Sequence, residues 1–392
     1  MAGMDIYERS LKRHREARGK VEIRSRMPLN SREDLSLAYT PGVARPCEVI
    51  AEDVTQAWDL TWKGRTVAVI SDGTAVLGLG DIGPEAALPV MEGKAVLFRE
   101  FAGIDAVPLV IRARDVDEVV NLVKSVAPTF GGINLEDFSA PRCFDIEARL
   151  QDIGIPVLHD DQHGTAVVTL AAIKNALRIL NKEFKDLNVV INGAGAAGRA
   201  IGRLLSSTAA EEADLRAGNV CICDSKGIIW PGRPGNTSFK EEMAQTTNPE
   251  RRKGDLREAL RGANVFIGVS KGHLLEAEDI KTMDRDAIVL AMANPIPEIH
   301  PEAALKGGAA IVGTGRSDYA NQVNNVLAFP GLFRGALQAR APRFTRQMLL
   351  AAVDAIADCV SDPRPEFILP EALDRSVAPQ VAKRVAQAAQ AG

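Results

Sequence analysis

Aromatic side chains are scarce in this chain: 12 Phe, 3 Trp and 3 Tyr among 392 residues. Chemistry that needs a phenol must therefore draw on Tyr7, Tyr39 or Tyr319. Cysteine is sparse too. Cys47, Cys143, Cys221, Cys223 and Cys359 are odd in number and scattered, which excludes a disulfide framework and points to a reducing, cytoplasmic compartment. There is no basic surplus, since 47 Lys and Arg face 51 Asp and Glu for a net charge of −4. No nucleic-acid partner is expected from such a balance, because binding a phosphate backbone is driven by cations that displace counterions. No apolar run reaches the roughly 18–20 residues that span a bilayer. The stretch Met1 to Lys20 is charged throughout and lacks the apolar segment of a secretory signal, so no membrane partner is expected either. Long linkers, low-complexity tracts and internal repeats are also missing.

What is present is a rhythm. Tyr7 to Gly19 reads as an exposed or oligomer-facing helix. From residue 66, short apolar runs alternate with helical patterns: Thr66–Ile70, Ala86–Phe101, Ala106–Ile111, Val116–Val126, Gly131–Leu135 and Ile155–Leu158. Continuous apolar strands alternating with helices predict a parallel sheet covered on both faces. Gln162–Leu180 reads as a long helix. A second series follows, with strands at Leu187–Asn192, Asn219–Cys223, Val265–Val269, Ala287–Ala293 and Ala309–Val312, and a helix at Ala196–Ser206. From Gly331 onward the chain is alanine-rich and helical in pattern, and its last ~60 residues are expected to pack back on the first domain. The fold class is thus α/β with two domains and a helical tail. Residues 1–162 form an N-terminal α/β domain with a parallel sheet, 163–335 a Rossmann dinucleotide-binding domain, and 336–392 a C-terminal helical segment.

The second series opens on Gly193-Ala-Gly195-Ala-Ala-Gly198, a G-x-G-x-x-G turn between a strand and a helix. The first glycine permits the turn, the second admits a pyrophosphate against the backbone, and the third lets helix pack on strand. The helix N-terminus, with Ala196 and Ala197, then favours the anion. The following strand ends in Asp224, placed to accept ribose hydroxyls and favouring NAD. Lys226 could instead pair with a 2′-phosphate, so NAD and NADP both remain open.

Two predicted strands of the first series end in acid pairs, Glu136-Asp137 and Asp160-Asp161. Four carboxylates at one sheet edge repel each other unless a cation is present, and all-oxygen donors suit Mg²⁺ or Mn²⁺. The alternative for the second pair is capping of the 162–180 helix. His159 and His163 have i, i+4 spacing, which leaves a weaker zinc reading. Lys94, if helical, is surrounded by Val90, Met91, Leu97 and Phe98. Burial there would lower its pKa and make it a base, unless a carboxylate neighbour pushes the other way or the side chain snorkels to water. Tyr39 sits at a Thr-Pro-Gly turn and by itself reads as a packing residue. Asn294, beyond a strand of the second series, and Asn325 could bind a carboxylate or carboxamide or could simply make turns.

These segments occur in the order of a known family: Ala38-Tyr-Thr-Pro-Gly-Val-Ala, Gly78-Leu-Gly-Asp-Ile-Gly, Glu92-Gly-Lys-Ala, Leu135-Glu-Asp-Phe, His159-Asp-Asp-Gln-His-Gly-Thr-Ala, the glycine turn, and Asn324-Asn-Val-Leu-Ala-Phe-Pro-Gly. The chain resembles the short-form bacterial malic enzymes from about residue 7 to its end. The resemblance implies oxidative decarboxylation of (S)-malate to pyruvate and CO₂ with reduction of NAD or NADP. It implies Mg²⁺ or Mn²⁺ on Glu136, Asp137 and Asp161, Lys94 as base, Tyr39 as acid, and Asp160 orienting Lys94 or a ligand. It further implies Asn294 and Asn325 on the substrate carboxylate and the nicotinamide side, Thr165 near the cofactor, and a homodimer or higher homo-oligomer. A malolactic-type lyase with retained NAD would carry nearly the same motifs. In one place the sequence departs from larger members: Thr74-Ala-Val-Leu77 stands where they carry a malate-gripping arginine.

Overall fold

The computed structural model describes residues 5–76, 78–113, 115–206 and 215–391. The chain opens with three helices, α1 (Ile6–Ala17), α2 (Arg32–Ala38) and α3 (Ala44–Glu52), and a short α4 (Ala57–Leu60). None of these four buries a side chain. α1 is exposed as its polar sequence predicts, whereas the helices between 32 and 60 carry no clear sequence signal.

The first sheet contains β1 (Thr66–Ser71), β2 (Asp105–Val110), β3 (Gly132–Leu135) and β4 (Val157–His159), in the order β2-β1-β3-β4. All its pairings are parallel. β1 is its central strand, and Val67, Ala68, Val69 and Ile70 are wholly buried. The two valines and the isoleucine each contribute about 1.5–3 kcal/mol by leaving water. Helices α5 (Pro84–Leu97), α6 (Val116–Val126) and α7 (Arg142–Ala148) flank the sheet. α6 starts where Asp115 accepts the Glu118 N–H and turns Val119, Val120 and Val123 inward.

α8 (Asp160–Leu180) follows β4 without an intervening residue and leads into the second sheet. That sheet has β5 (Asn188–Asn192), β6 (Asn219–Asp224), β7 (Gly227–Ile228), β8 (Val265–Gly268), β9 (Ile288–Ala291) and β10 (Ile311–Thr314), in the order β10-β9-β8-β5-β6-β7. Only β7, a two-residue strand absent from the sequence reading, runs antiparallel. The strand order reverses between β5 and β8, and in the first sheet between β1 and β3. Open α/β sheets bind ligands at such reversals, beyond the carboxyl ends of the strands.

α9 (Ala196–Leu205) and α10 (Ser238–Thr246) pack in this second half, with α11 (Leu256–Leu260), α12 (Ala277–Ile280) and α13 (Pro301–Lys306) as short connectors. The tail is helical, as expected: α14 (Phe329–Gln338), α15 (Arg346–Asp358) and α16 (Val377–Ala391). It packs against both halves. Phe98 meets the rings of Phe329 and Phe333 edge-on at 4.8 and 5.3 Å, and Arg375 pairs with Glu100 at 2.7 Å. On the other side, Lys174 of α8 pairs with Asp354 at 2.5 Å.

Candidate active site

The acid pairs meet where the first sheet reverses. The Glu136 N–H donates to the Ile70 carbonyl at 2.9 Å, extending the ladder one residue past β3. Asp137 then turns with φ of 56°, and its N–H donates to Asp161 Oδ2 at 2.9 Å. The sequence reading starts the long helix at 162; it starts at Asp160. His159 is therefore the N-cap, with no side-chain capping bond, and neither acid caps the helix. Both acids instead occupy its first turn, where the positive end of the helix dipole favours negative charge. Gly164 makes room for this arrangement: a Cβ there would lie 1.9 Å from Asp160 Oδ1.

Lys94 reaches this cluster from α5. Its Nζ lies 2.6 Å from Asp160 Oδ2 and 2.9 Å from Glu136 Oε1, and 4.1 Å from the centroid of the Phe329 ring. The side chain is 6% exposed, so it does not snorkel. The expectation of a lowered pKa needs correcting. Burial does depress the ammonium, but the charges of Asp160 and Glu136 outweigh burial and raise it. The resting lysine is a held cation.

One lysine faces four acids. Among the described residues, donor atoms of Glu136, Asp137 and Asp161 lie within 4.8 Å of one another. All four carboxyl groups are pushed above the ordinary range, by burial first. For Asp137 the neighbouring acids Asp161 and Glu136 push further, for Glu136 the push comes from Asp161, and for Asp160 and Asp161 from other acids of the cluster. Asp137 Oδ2 and Asp160 Oδ1 are buried without a hydrogen-bond partner. Three clustered carboxylates with an unsatisfied buried oxygen fit a hard divalent cation. No histidine belongs to the set. His163 is bonded to Glu147 at 3.0 Å, and the His159 ring, 3.8 Å from Asp161, is no part of the donor set, so the zinc reading finds no support.

The amides divide. Asn325 donates its Nδ2 to Asp160 Oδ2, so it stands within the cluster with its amide engaged. Asn294 is exposed beyond β9. Its carbonyl abuts the other half of the molecule, since a Cβ on Gly78 would lie 2.8 Å from it. Thr165 is half-buried in the second turn of α8. Tyr39 is not brought to the acids by any recorded contact: it ends α2, is 68% exposed, and makes no side-chain hydrogen bond among the described residues. Leu77, at the departure from the larger enzymes, lies outside the described residues.

The glycine turn has the expected form. Gly193 adopts φ of 132°, Gly195 is the N-cap of α9, and a Cβ on Gly198 would lie 1.8 Å from the Gly193 carbonyl. The N–H groups of Ala196 and Ala197 thus stand at an uncapped helix start. Asp224 behaves differently from the sequence reading. Its Oδ2 accepts from Arg233 at 2.5 Å and from Lys240 at 2.6 Å, and its Oδ1 accepts from Arg233 at 3.0 Å and from the Lys226 N–H at 2.8 Å. The carboxylate is only 7% exposed. Burial opposes its charge, but these donors win and hold it well below the usual carboxylate range.

Sequence reasoning missed four supporting groups. Asp72, just past β1, pairs with Arg142 at 2.9 Å; the strand-end rule that found the other acids applies to it equally. Asn134 donates to Glu136 Oε2 at 2.8 Å. Glu147 is buried and accepts from the His159 N–H at 2.8 Å, from Gln162 at 3.0 Å and from the His163 ring. Its position on α7 gives no local signal.

Comparison with known proteins identifies the relatives of this chain. A family model described as "Malic enzyme, NAD binding domain" matches residues 162–390, and one described as "Malic enzyme, N-terminal domain" matches 18–115 and 111–151. The chain is 53% identical to the bifunctional malic/malolactic enzyme of Bacillus subtilis, over 98% of this chain and 93% of that one. It is 52% identical to the NAD-dependent malic enzyme of Geobacillus stearothermophilus, over 95% and 77%. The solved NAD-dependent malic enzyme of Thermotoga maritima superposes with a TM-score of 0.91 at 48% identity, covering 98% of this chain and 99% of that one.

Proposed function

The chain belongs to the malic enzyme family, and from that premise we propose that it converts (S)-malate to pyruvate and CO₂. NAD or NADP accepts the hydride, and Mg²⁺ or Mn²⁺ is held by Glu136, Asp137 and Asp161. The observation that carries this reading is a buried lysine gripped by Glu136 and Asp160 beside acids that have no other ion pair to Lys or Arg among the described residues.

The cation supplies Lewis acidity toward a 2-hydroxy or 2-keto acid, and the dinucleotide supplies a hydride acceptor. Lys94 is assigned the hydroxyl proton, taken at Nζ. With Glu136 committed to a cation, one of the two carboxylates that keep Nζ charged is withdrawn. Burial then favours the neutral amine that a base requires. Asp160 fixes Nζ in place and is itself held by Asn325. Tyr39 is assigned the proton delivered to C3, on the family resemblance. Asn294 is assigned to the substrate carboxylate and the nicotinamide side, Asn325 to the substrate carboxylate, and Thr165 to the cofactor side. Gly193, Gly195, Ala196, Ala197 and Gly198 offer the pyrophosphate backbone N–H groups at the start of α9. Functionally we divide the chain into 1–162, 163–335 and 336–392.

A homo-oligomer is part of the same reading. Ile6, Tyr7, Leu35, Leu37 and Tyr39 are all between 51 and 72% exposed on helices that bury nothing of their own. Apolar surface of this kind marks an interface, and a second copy that covered it would also enclose Tyr39. Removing residues 1–25 should then lower both the mass seen by light scattering and the activity; unchanged mass and activity would refute the arm's role. Five free cysteines agree with a cytoplasmic location.

A steady-state assay with malate, comparing NAD with NADP and adding chelator, tests the main reading. Reduced cofactor should accumulate and chelator should stop it. The name of the Bacillus subtilis relative favours one second reading, a malolactic activity. Lactate formed without net cofactor reduction would establish that reading and displace the first.

A further inference from the structure

A second cavity lies behind the acid site, between α7, the start of α8, α9 and the start of α15. Its volume is about 370 Å³, within the size range of small-molecule sites. None of Lys94, Glu136, Asp137, Asp160 or Asp161 lines it, nor does the glycine turn. The wall is mixed in a specific way. Arg199, Arg203 and Arg346 supply three guanidinium groups, while Phe344 and Leu349 supply apolar surface. Among the described residues of the lining, Glu147 is the only acid, and it is occupied by Gln162 and His163.

Two of these arginines keep donors to spare among the described residues. Arg203 has no ion pair among the described residues. Arg199 pairs with Glu242 at 2.9 Å through Nη2 and lies over the Phe144 ring at 4.4 Å, yet its Nε is buried without an acceptor. A buried donor left without a partner costs free energy that a ligand oxygen would recover. Guanidinium groups favour planar oxyanions, which they bind through paired N–H groups. Phosphate alone would leave the Phe344 and Leu349 side of the cavity empty.

We propose that this cavity binds a small organic anion, its oxyanion head on Arg199 and Arg203 and its carbon body against Phe344 and Leu349, and that occupancy is felt at the acid site. The route is short. Glu147 holds the His159 N–H, Gln162 and His163, which bracket Asp160 and Asp161 in sequence. A ligand beside His163 and Gln162 therefore shifts the same turn of α8 that carries the acids, and by reciprocity malate and cation binding shift the affinity for the ligand.

The test uses the full chain with Mn²⁺ and malate but without cofactor, so that no turnover occurs. Phenyl phosphate, benzoate and inorganic phosphate are titrated in by calorimetry. One of the two aromatic anions should bind at one site per chain, about tenfold or more tighter than inorganic phosphate. Phenyl phosphate binding tighter identifies a phosphate head, and benzoate a carboxylate head. Arg203→Ala, an exposed position on α9, should weaken binding about tenfold, with partial recovery in Arg203→Lys. In turnover assays the probe should shift KM for malate about twofold or more in the native chain and not in Arg203→Ala. Displacement by excess malate or by cofactor, binding indifferent to Arg203→Ala, or an unchanged KM would overturn the proposal.

Discussion

Acids stand at strand ends in both sheets of this molecule, and the two sheets treat them oppositely. Beyond β3 and β4, four carboxylates share one lysine, and their pKa values are driven up. At the last residue of β6, Asp224 has Arg233 and Lys240 to itself and is driven down. The sequence feature is alike in both places, an acid at or just past the end of a buried parallel strand. What differs is the supply of counter-charge, and this decides the chemistry. The first site has charge left for a cation from outside. The second is internally closed, and what it can present to a ligand is its cations.

The contrast can be broken from either side, and the largest effect is expected at the lysine. Lys94→Ala should cut malate oxidation about 10²–10⁴-fold, while decarboxylation of added oxaloacetate partly survives; equal loss of both would remove Lys94 from the role of base. Next comes the donor set. Asp161→Asn should weaken Mn²⁺ binding about tenfold or more by direct titration, since one charged donor is lost. An unaltered isotherm would exclude Asp161 as a ligand. Asp224→Asn should leave Mn²⁺ binding alone but destabilise the fold by about 3 kcal/mol, because it strands buried Arg233; urea unfolding measures it, and a change in Mn²⁺ affinity would mean the two sites are coupled.

The smallest effect is in pH. Raised carboxyl pKa values mean that the metal-free acids bind protons in competition with Mn²⁺. Stabilisation by Mn²⁺ should therefore grow as pH rises from 6 to 8. Asp224 has the opposite sign: its depressed pKa adds stability above the ordinary carboxylate range, lost only as pH falls below it. In that neutral window the Asp224→Asn penalty should be flat. Melting curves at the two pH values, with and without Mn²⁺, compare the sites directly.

The difference between these sites also marks what could be read from the residues in order. Both acid pairs, the glycine turn and the strands feeding them were legible, because strand, turn and acid are adjacent in the chain. Pattern alone left Lys94 between burial and snorkelling, and its link to Asp160, 66 residues away, came only through the resemblance. The sealing of Asp224 was hidden for a related reason. Arg233 and Lys240 stand in the loop after β7 and on α10, a stretch for which the sequence reading assigned no element. Tyr39 was singled out by scarcity and by resemblance. Its outward position at the end of α2 has no signal in the neighbouring residues.

The join between β4 and α8 has a mechanical meaning. No residue separates strand from helix, so the first turn of α8 is attached to one sheet while its body is packed into the other half. Asp160 and Asp161 are therefore held from two directions: the strand fixes where the helix begins, and the packing of the helix body fixes how its first turn is oriented. Gly78 of the first half stands against the Asn294 carbonyl of the second. The acids assigned to the cation thus lie where the two halves are stitched together, and their spacing is set by both.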